Sequence, residues 1–220
     1  MAKYKSVLFD LDGTLLDTLG SLVYASHKAM EMCGYPLHTR DEVRGFINYG
    51  SVELIRRALP EDVRCDENEV MRVHGIYFPI LRENATRDCV RYDGLDALCR
   101  ELICAGVKLA VLTNKPDAAA KLCIETYYPD IDFASVRGMV PGKFVKPDRA
   151  FTEDIMREIG AEPSSTLFVG DSHVDVAPAH NASLPCAGVC WGFHGDLGFG
   201  STPPDFLIHS PDELKALILG

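Results

Sequence analysis

The 220-residue sequence predicts an α/β protein: a doubly wound parallel sheet with an all-helical segment inserted near its start. Three observations predict it. Short apolar runs rich in β-formers recur along the chain, at SVLFD (6–10), KLAVLT (108–113) and TLFVGD (166–171). From residue 94 onward these runs alternate with stretches of helical period, the pattern of repeated strand–helix–strand units in a parallel sheet. Between 17 and 87, by contrast, only helical spacing is found.

Residues 6–10 form an apolar run long enough for a buried strand. Leu19, Leu22, Val23, Ala29 and Met30 then recur near helical spacing until Gly34-Tyr35-Pro36 stops the helix. Further helices are expected near 39–47, 51–59 and 66–84. Leu95, Leu98 and Leu102 share one face of a helix over 94–105, followed by the strand at 108–113 and a helix from Pro116 to about residue 126. Phe151, Ile155 and Ile159 line one side of a helix over 147–159. Strands at 166–171, 186–191 (CAGVCW) and 206–208 (FLI), a helix near 173–182 and a final helix complete the alternation. The Gly- and Pro-rich segment 192–204 reads as an ordered surface loop. Residues 1–16 and 88–220 thus form the α/β core, and 17–87 the helical insert.

Composition bounds the function. Hydrophobic residues make up 47 % and charged residues 25 %, an ordinary globular balance. The net charge of −10 gives no purchase on counterion release, so nucleic acid is not an expected partner. No run approaches the roughly 20 apolar residues of a membrane span, and the N-terminal residues lack a signal-peptide core. A soluble, cytoplasmic protein is expected. The eight cysteines include no C-x-x-C pair and several lie in apolar surroundings, so free, buried thiols are expected.

Ligands of open α/β sheets bind beyond the carboxyl ends of the strands. There the sequence places Asp10-Leu11-Asp12-Gly13-Thr14, Thr113-Asn114-Lys115, Lys146-Pro147 before a helix, and Gly170-Asp171 with Asp175 four residues on. Carboxylates gathered at one point repel one another unless a cation joins them, and Mg²⁺ suits such oxygen ligands beside a phosphate. An ionised Asp10 can attack phosphorus, giving an aspartyl-phosphate. Asp12, on the same side of an extended chain, can protonate the leaving alcohol and then deprotonate the attacking water. Thr113 offers a hydroxyl and Asn114 a backbone N–H to the phosphoryl oxygens, and Lys146 supplies positive charge. Each fragment alone is commonplace: D-x-D occurs on surfaces, T-N-K and K-P at helix starts, and Asp171 with Asp175 could be an N-cap and a first-turn acid. Their order at the ends of alternating strands is what carries the reading.

DLDGTLLDT, LTNKP, KP and GDSHVD resemble, in order and spacing, the four motifs of the haloacid-dehalogenase superfamily of phosphohydrolases. The resemblance spans essentially the whole chain. It implies a Rossmann-like core and a phosphatase with Asp10 as nucleophile and Asp12 as acid and base. It also implies Mg²⁺ held by Asp10, the Asp12 carbonyl and Asp171, with Asp175 behind them, and a phosphoryl group held by Thr113, Asn114 and Lys146. A helical cap between the first two motifs is the arrangement of the subgroup with phosphoglycolate phosphatase and β-phosphoglucomutase. AGVCWGF (187–193) looks most like the phosphoglycolate phosphatase branch. Two departures stand out: Lys146-Pro147-Asp148-Arg149 replaces K-P-x-P, with Lys143 a weaker candidate nearby, and Asn48-Tyr49-Gly50 replaces a G-x-G cap loop.

The expected substrate is a small phosphorylated metabolite, phosphoglycolate first, with Arg44 and Asn48 as candidate substrate contacts; an arginine can grip a carboxylate through two parallel hydrogen bonds. A sugar phosphomutase of the β-phosphoglucomutase kind, a pyrophosphatase and a non-catalytic binding module are the alternatives. The last would be expected to lose Asp10, Asp12 or Asp171, and none is lost. Gly138–Lys143 is too short for a P-loop and is followed by Phe144 where Ser or Thr is needed. The spacing of His173, His180 and His194, in acid-rich surroundings, favours Mg²⁺ over zinc.

Overall fold

Six parallel strands form the sheet of the computed structural model, which describes residues 2–47, 50–140 and 142–220. In chain order the sheet strands are β1 (Ser6–Phe9), β4 (Lys108–Pro116), β5 (Ser135–Met139), β6 (Thr166–Gly170), β7 (Cys186–Val189) and β8 (Phe206–Ile208). Their spatial order is β5-β4-β1-β6-β7-β8, every pairing parallel. The remaining strands, β2 (Leu16–Asp17) and β3 (Val90–Arg91), form a separate antiparallel pair in which Asp17 faces Val90. The winding starts at β1, steps outward through β4 to β5, then crosses back to β6 on the other side. The crevice between the ends of β1 and β6 is therefore the topological switch point.

β1 has no exposed residue, and Leu8, Leu112 and Phe168 on adjacent strands are fully buried. Helices flank the sheet: α5 (Leu95–Cys104), α6 (Asp117–Tyr127), α7 (Arg149–Ile159), α8 (His173–Asn181) and α9 (Pro211–Leu219). Phe151, Ile155 and Ile159 of α7 do share a buried side, packed with Leu8, Phe168 and Val176. That helix begins at Arg149, not Pro147, because the Asp148 side chain accepts the Ala150 N–H as its cap.

The chain divides by its internal contacts into a unit comprising the chain up to Asp17 with Val90–Gly220, and a second unit, Thr18–Cys89. Among its described residues the second is all helical: α1 (Leu19–Cys33), α2 (Arg40–Phe46), α3 (Ser51–Ala58) and α4 (Glu67–Glu83). α1 ends where Gly34 takes a left-handed φ of 75°, at the predicted stop. Thr39 and Glu42 form a reciprocal capping box on α2, and Asp66 caps α4. Ala29, Met30, Ile55, Val70, Val73 and Tyr77 are buried. Among the described residues no helix is long and apolar enough to cross a membrane.

Three sequence readings are corrected. β5 was not foreseen, because SVRGM carries Ser135, Arg137 and Gly138 and lacks an apolar run; an edge strand tolerates that. The strand read as ending at Thr113 continues through a register shift to Pro116. The segment 192–204 is not simply a surface loop: Phe193, Gly198 and Phe199 are buried, and a 3₁₀ turn spans Gly195–Phe199. The cysteines are all free; Cys89, Cys99, Cys123 and Cys186 are buried, whereas Cys65 and Cys104 are exposed.

Candidate active site

Asp10 follows β1 directly, and its N–H still donates to the Val169 carbonyl of β6 at 2.8 Å. The chain then turns sharply: the Leu11 carbonyl accepts from Leu15 and Leu16, and Gly13 takes φ 86°. Gly13 is required twice over. A side chain there would sit in left-handed backbone, and its Cβ would fall 2.3 Å from Asp171 Oδ2.

Lys146 is the hub of the site. Its ammonium donates to Asp10 Oδ1 at 2.6 Å and to Asp175 Oδ1 at 2.7 Å, all three side chains being buried. Asp175 is fixed from the other side, since its second oxygen accepts from the N–H and hydroxyl of Ser172, closing the capping box of α8. Asp171, at the end of β6, accepts the Phe193 N–H at 3.1 Å. The loop after β7 thus reaches into the site. Gly192 and Gly198 permit this, since a Cβ on either would lie within 2.5 Å of an Asp171 atom.

The electrostatics are unbalanced. Burial, with repulsion from Asp175 and Asp12, pushes Asp10 up to about 7 despite the attraction of Lys146. Burial and the nearby carboxylates of Asp175 and Asp10 likewise hold Asp171 well above the usual carboxylate range. Burial disfavours the Lys146 ammonium, but Asp10 and Asp175 more than offset it, and its pKa is raised. One ammonium therefore faces three buried carboxylates, Asp10, Asp171 and Asp175, whose oxygens come within 4.8 Å of one another. A dication would restore neutrality, and a donor set made only of oxygens fits Mg²⁺.

The end of β4 supplies the opposite wall. The Thr113 side chain is buried, with its Oγ1 accepting the Lys115 N–H at 3.2 Å. Asn114 and Lys146 are joined twice: the Lys146 N–H donates to Asn114 Oδ1 at 2.9 Å, and Asn114 Nδ2 donates to the Lys146 carbonyl at 3.2 Å. The Lys115 ammonium, its side chain 1 % exposed, donates to Asp12 Oδ1 at 2.8 Å.

The structure thus bonds Asp10 and Asp175 through Lys146, sets Asp171 within 4.8 Å of both carboxylates, holds Asp12 beside them through Lys115 and ties Asn114 to Lys146. Lys143 is exposed and outside this network, whereas Lys146 is buried within it. Arg44 lies on α2, about half exposed, paired with Asp41 at 3.1 Å. Asn48 lies outside the described residues. The sequence reading names Lys115 without giving it a role, and misses Ser172, the Phe193 N–H and the role of the Asn114 side chain. Lys115 was open to discovery, since a lysine one residue beyond Asn114 falls on the same strand end. The Phe193 contact carried no local signal.

A family model described as haloacid dehalogenase-like hydrolase matches residues 7–189. The phosphoglycolate phosphatase of Vibrio parahaemolyticus is 29 % identical over 97 % of this chain and 96 % of its own. That of Pseudomonas putida is 30 % identical over 97 % of this chain and 78 % of its own. Among solved structures, a Lactobacillus delbrueckii subsp. bulgaricus protein, provisionally called a phosphoglycolate phosphatase, superposes with a TM-score of 0.90. It is 26 % identical, over 99 % of both chains.

Proposed function

This chain belongs to the haloacid dehalogenase-like hydrolases, and on that footing we propose that it is a Mg²⁺-dependent phosphomonoesterase acting on a small phosphorylated metabolite, phosphoglycolate first. The observation that carries the reading is the buried Asp10 carboxylate, bonded to Lys146 at the switch point of the sheet, beside two further carboxylates that one lysine cannot neutralise. The names of the Vibrio and Pseudomonas relatives support the choice of substrate.

In this reading an Asp10 oxygen attacks phosphorus and the P–O bond to the alcohol breaks. Asp12 gives the leaving oxygen its proton. Water then attacks the aspartyl-phosphate, Asp12 takes the proton from that water, and phosphate leaves with Asp10 regenerated. Thr113 and the Asn114 N–H hold the phosphoryl oxygens, and Lys146 keeps positive charge beside them throughout. Asp10, the Asp12 carbonyl and Asp171 would hold Mg²⁺, with Asp175 fixed behind them; the ion would supply the charge that offsets the phosphate. Residues 17–87 serve as a cap that governs specificity, with Arg44 a candidate partner for the substrate carboxylate.

The test is phosphate release from a panel of phosphoglycolate, hexose phosphates, nucleotides and pyrophosphate, with Mg²⁺ and with chelator. The expected result is preferential release from phosphoglycolate, falling at least about 100-fold with chelator. Release that ignores the chelator would overturn the metal dependence, and preference for a hexose phosphate or pyrophosphate would overturn the substrate.

A further inference from the structure

A second group of metal-ligating side chains lies outside the carboxylate cluster. Cys190, Asp196 and His209 each present a donor atom, and the three atoms lie within 4.8 Å of one another. They come from three chain segments. Cys190 follows β7 and His209 follows β8, and the parallel register that pairs Val189 with Ile208 sets the two side by side. The Cys190 N–H donates to the Ile208 carbonyl at 2.8 Å, and the His209 N–H donates to Glu213 Oε2 at 2.8 Å, so both backbones are anchored. Asp196, on the 3₁₀ turn, lies with Oδ1 3.8 Å from His209 Nδ1. Two donors are thus held by sheet register and the third by a tight turn.

The donor chemistry differs from that of Asp10, Asp171 and Asp175. Thiolate, imidazole and carboxylate together suit Zn²⁺ and its neighbours, whereas an all-oxygen set suits Mg²⁺. From this geometry we propose that Cys190, Asp196 and His209 form a site for a divalent transition metal, Zn²⁺ foremost, separate from the carboxylate cluster. Three protein ligands leave the fourth tetrahedral position to water. On binding, the Cys190 thiol proton passes to solvent and the sulfur takes the metal as thiolate, while His209 binds neutral. Without a metal, burial and the Asp196 carboxylate push the thiol up to about 12, so Cys190 is a poor nucleophile and a poor redox centre. The bound ion joins the ends of β7 and β8 to the turn that follows Phe193, the residue whose N–H holds Asp171.

Co²⁺ tests the proposal, because only a thiolate ligand gives a near-ultraviolet sulfur-to-cobalt charge-transfer band. The folded full-length protein would be titrated with Co²⁺ in excess Mg²⁺, which occupies the oxygen-only site. The expected result is a band saturating at about one Co²⁺ per chain. It should be lost in Cys190→Ser, weakened in His209→Gln and retained when the exposed Cys65 and Cys104 are both changed to Ser. Zn²⁺ should displace the Co²⁺ and raise the Tm of the parent but not of Cys190→Ser. No band in the folded parent, or a band that survives Cys190→Ser, would overturn the proposal. Should Cys190→Ser fail to fold, the exposed His209→Gln decides: an undiminished band there overturns it equally.

Discussion

Asn114 holds the backbone of Lys146 by both ends of its side-chain amide, accepting the N–H at 2.9 Å and donating to the carbonyl at 3.2 Å. The residue before Pro147 is thus set by a side chain 32 positions earlier, and with it the lysine that bonds Asp10 and Asp175. Asn114→Ala removes both bonds. The expected cost is about 1–3 kcal/mol of stability by denaturant titration, with kcat down about 10- to 100-fold. Asn114→Asp keeps the acceptor and loses the donor, so it should fall between the two. A variant destabilised by Asn114→Ala with kcat unchanged would mean that the clamp serves the fold alone.

Asp10→Asn should abolish phosphate release and, in metal-free buffer, stabilise the protein. The sign follows from linkage. In the folded chain Asp10 is raised to about 7 from an ordinary 3.8, so between these values the folded state binds more protons than the unfolded. The stability this group contributes is present at low pH and is lost as pH rises toward and through 7. The gap between Asp10→Asn and the parent should therefore widen from pH 5 to pH 8, reaching on the order of 4 kcal/mol. Added Mg²⁺ should close it. Chemical unfolding of both proteins across that range, with and without Mg²⁺, provides the check.

Lys146→Met leaves Asp10 and Asp175 facing one another without the ammonium between them. Removing one partner of a buried charge pair costs about 3–5 kcal/mol, and activity should be lost with it. Lys146→Arg keeps the charge, but a planar guanidinium does not reproduce one nitrogen at 2.6 and 2.7 Å from two carboxylates. It should recover part of the stability and little of the turnover. Equal activity in Lys146→Arg and the parent would remove the geometric requirement.

Gly192→Ala would place a Cβ 2.3 Å from Asp171 Cβ and 2.7 Å from the Gly13 carbonyl. The loop must retreat, and the Phe193 N–H leaves Asp171. A loss of about 1–3 kcal/mol is expected, with a higher Mg²⁺ concentration needed for half-maximal activity. The Mg²⁺ dependence is the informative readout, since a purely structural effect would leave it unmoved.

The strands that carry Asp10, Thr113 and Asp171 were legible because each is a buried apolar run, and a central strand in a parallel sheet has few other ways to be written. The helices of 18–89 were legible from spacing and from stops such as Gly34. β5 was not, because an edge strand needs no apolar run, and its Ser135-Val136-Arg137 looks like a loop. Phe193 was hidden for a different reason. It works through its backbone N–H, which every non-proline residue has, so nothing in its side chain marks it. The grouping of Cys190, Asp196 and His209 depends on the register of β7 with β8, and their spacing along the chain matches no familiar metal motif. Lys115 fell between these cases: it was visible in T-N-K, but its bond to Asp12 spans 103 positions.

The chain leaves the α/β unit and returns to it at one place, where Asp17 and Val90 face each other across a two-residue antiparallel pair. A two-residue turn is the shortest loop that can close such a pair. The helical segment is therefore a detour, spliced into a hairpin whose ends already meet. Its length and sequence can drift, or be exchanged for another insert, without disturbing the order of the six strands. Under the proposed function, in which the helical segment governs specificity, substrate range and reaction chemistry would then be inherited separately along a single polypeptide.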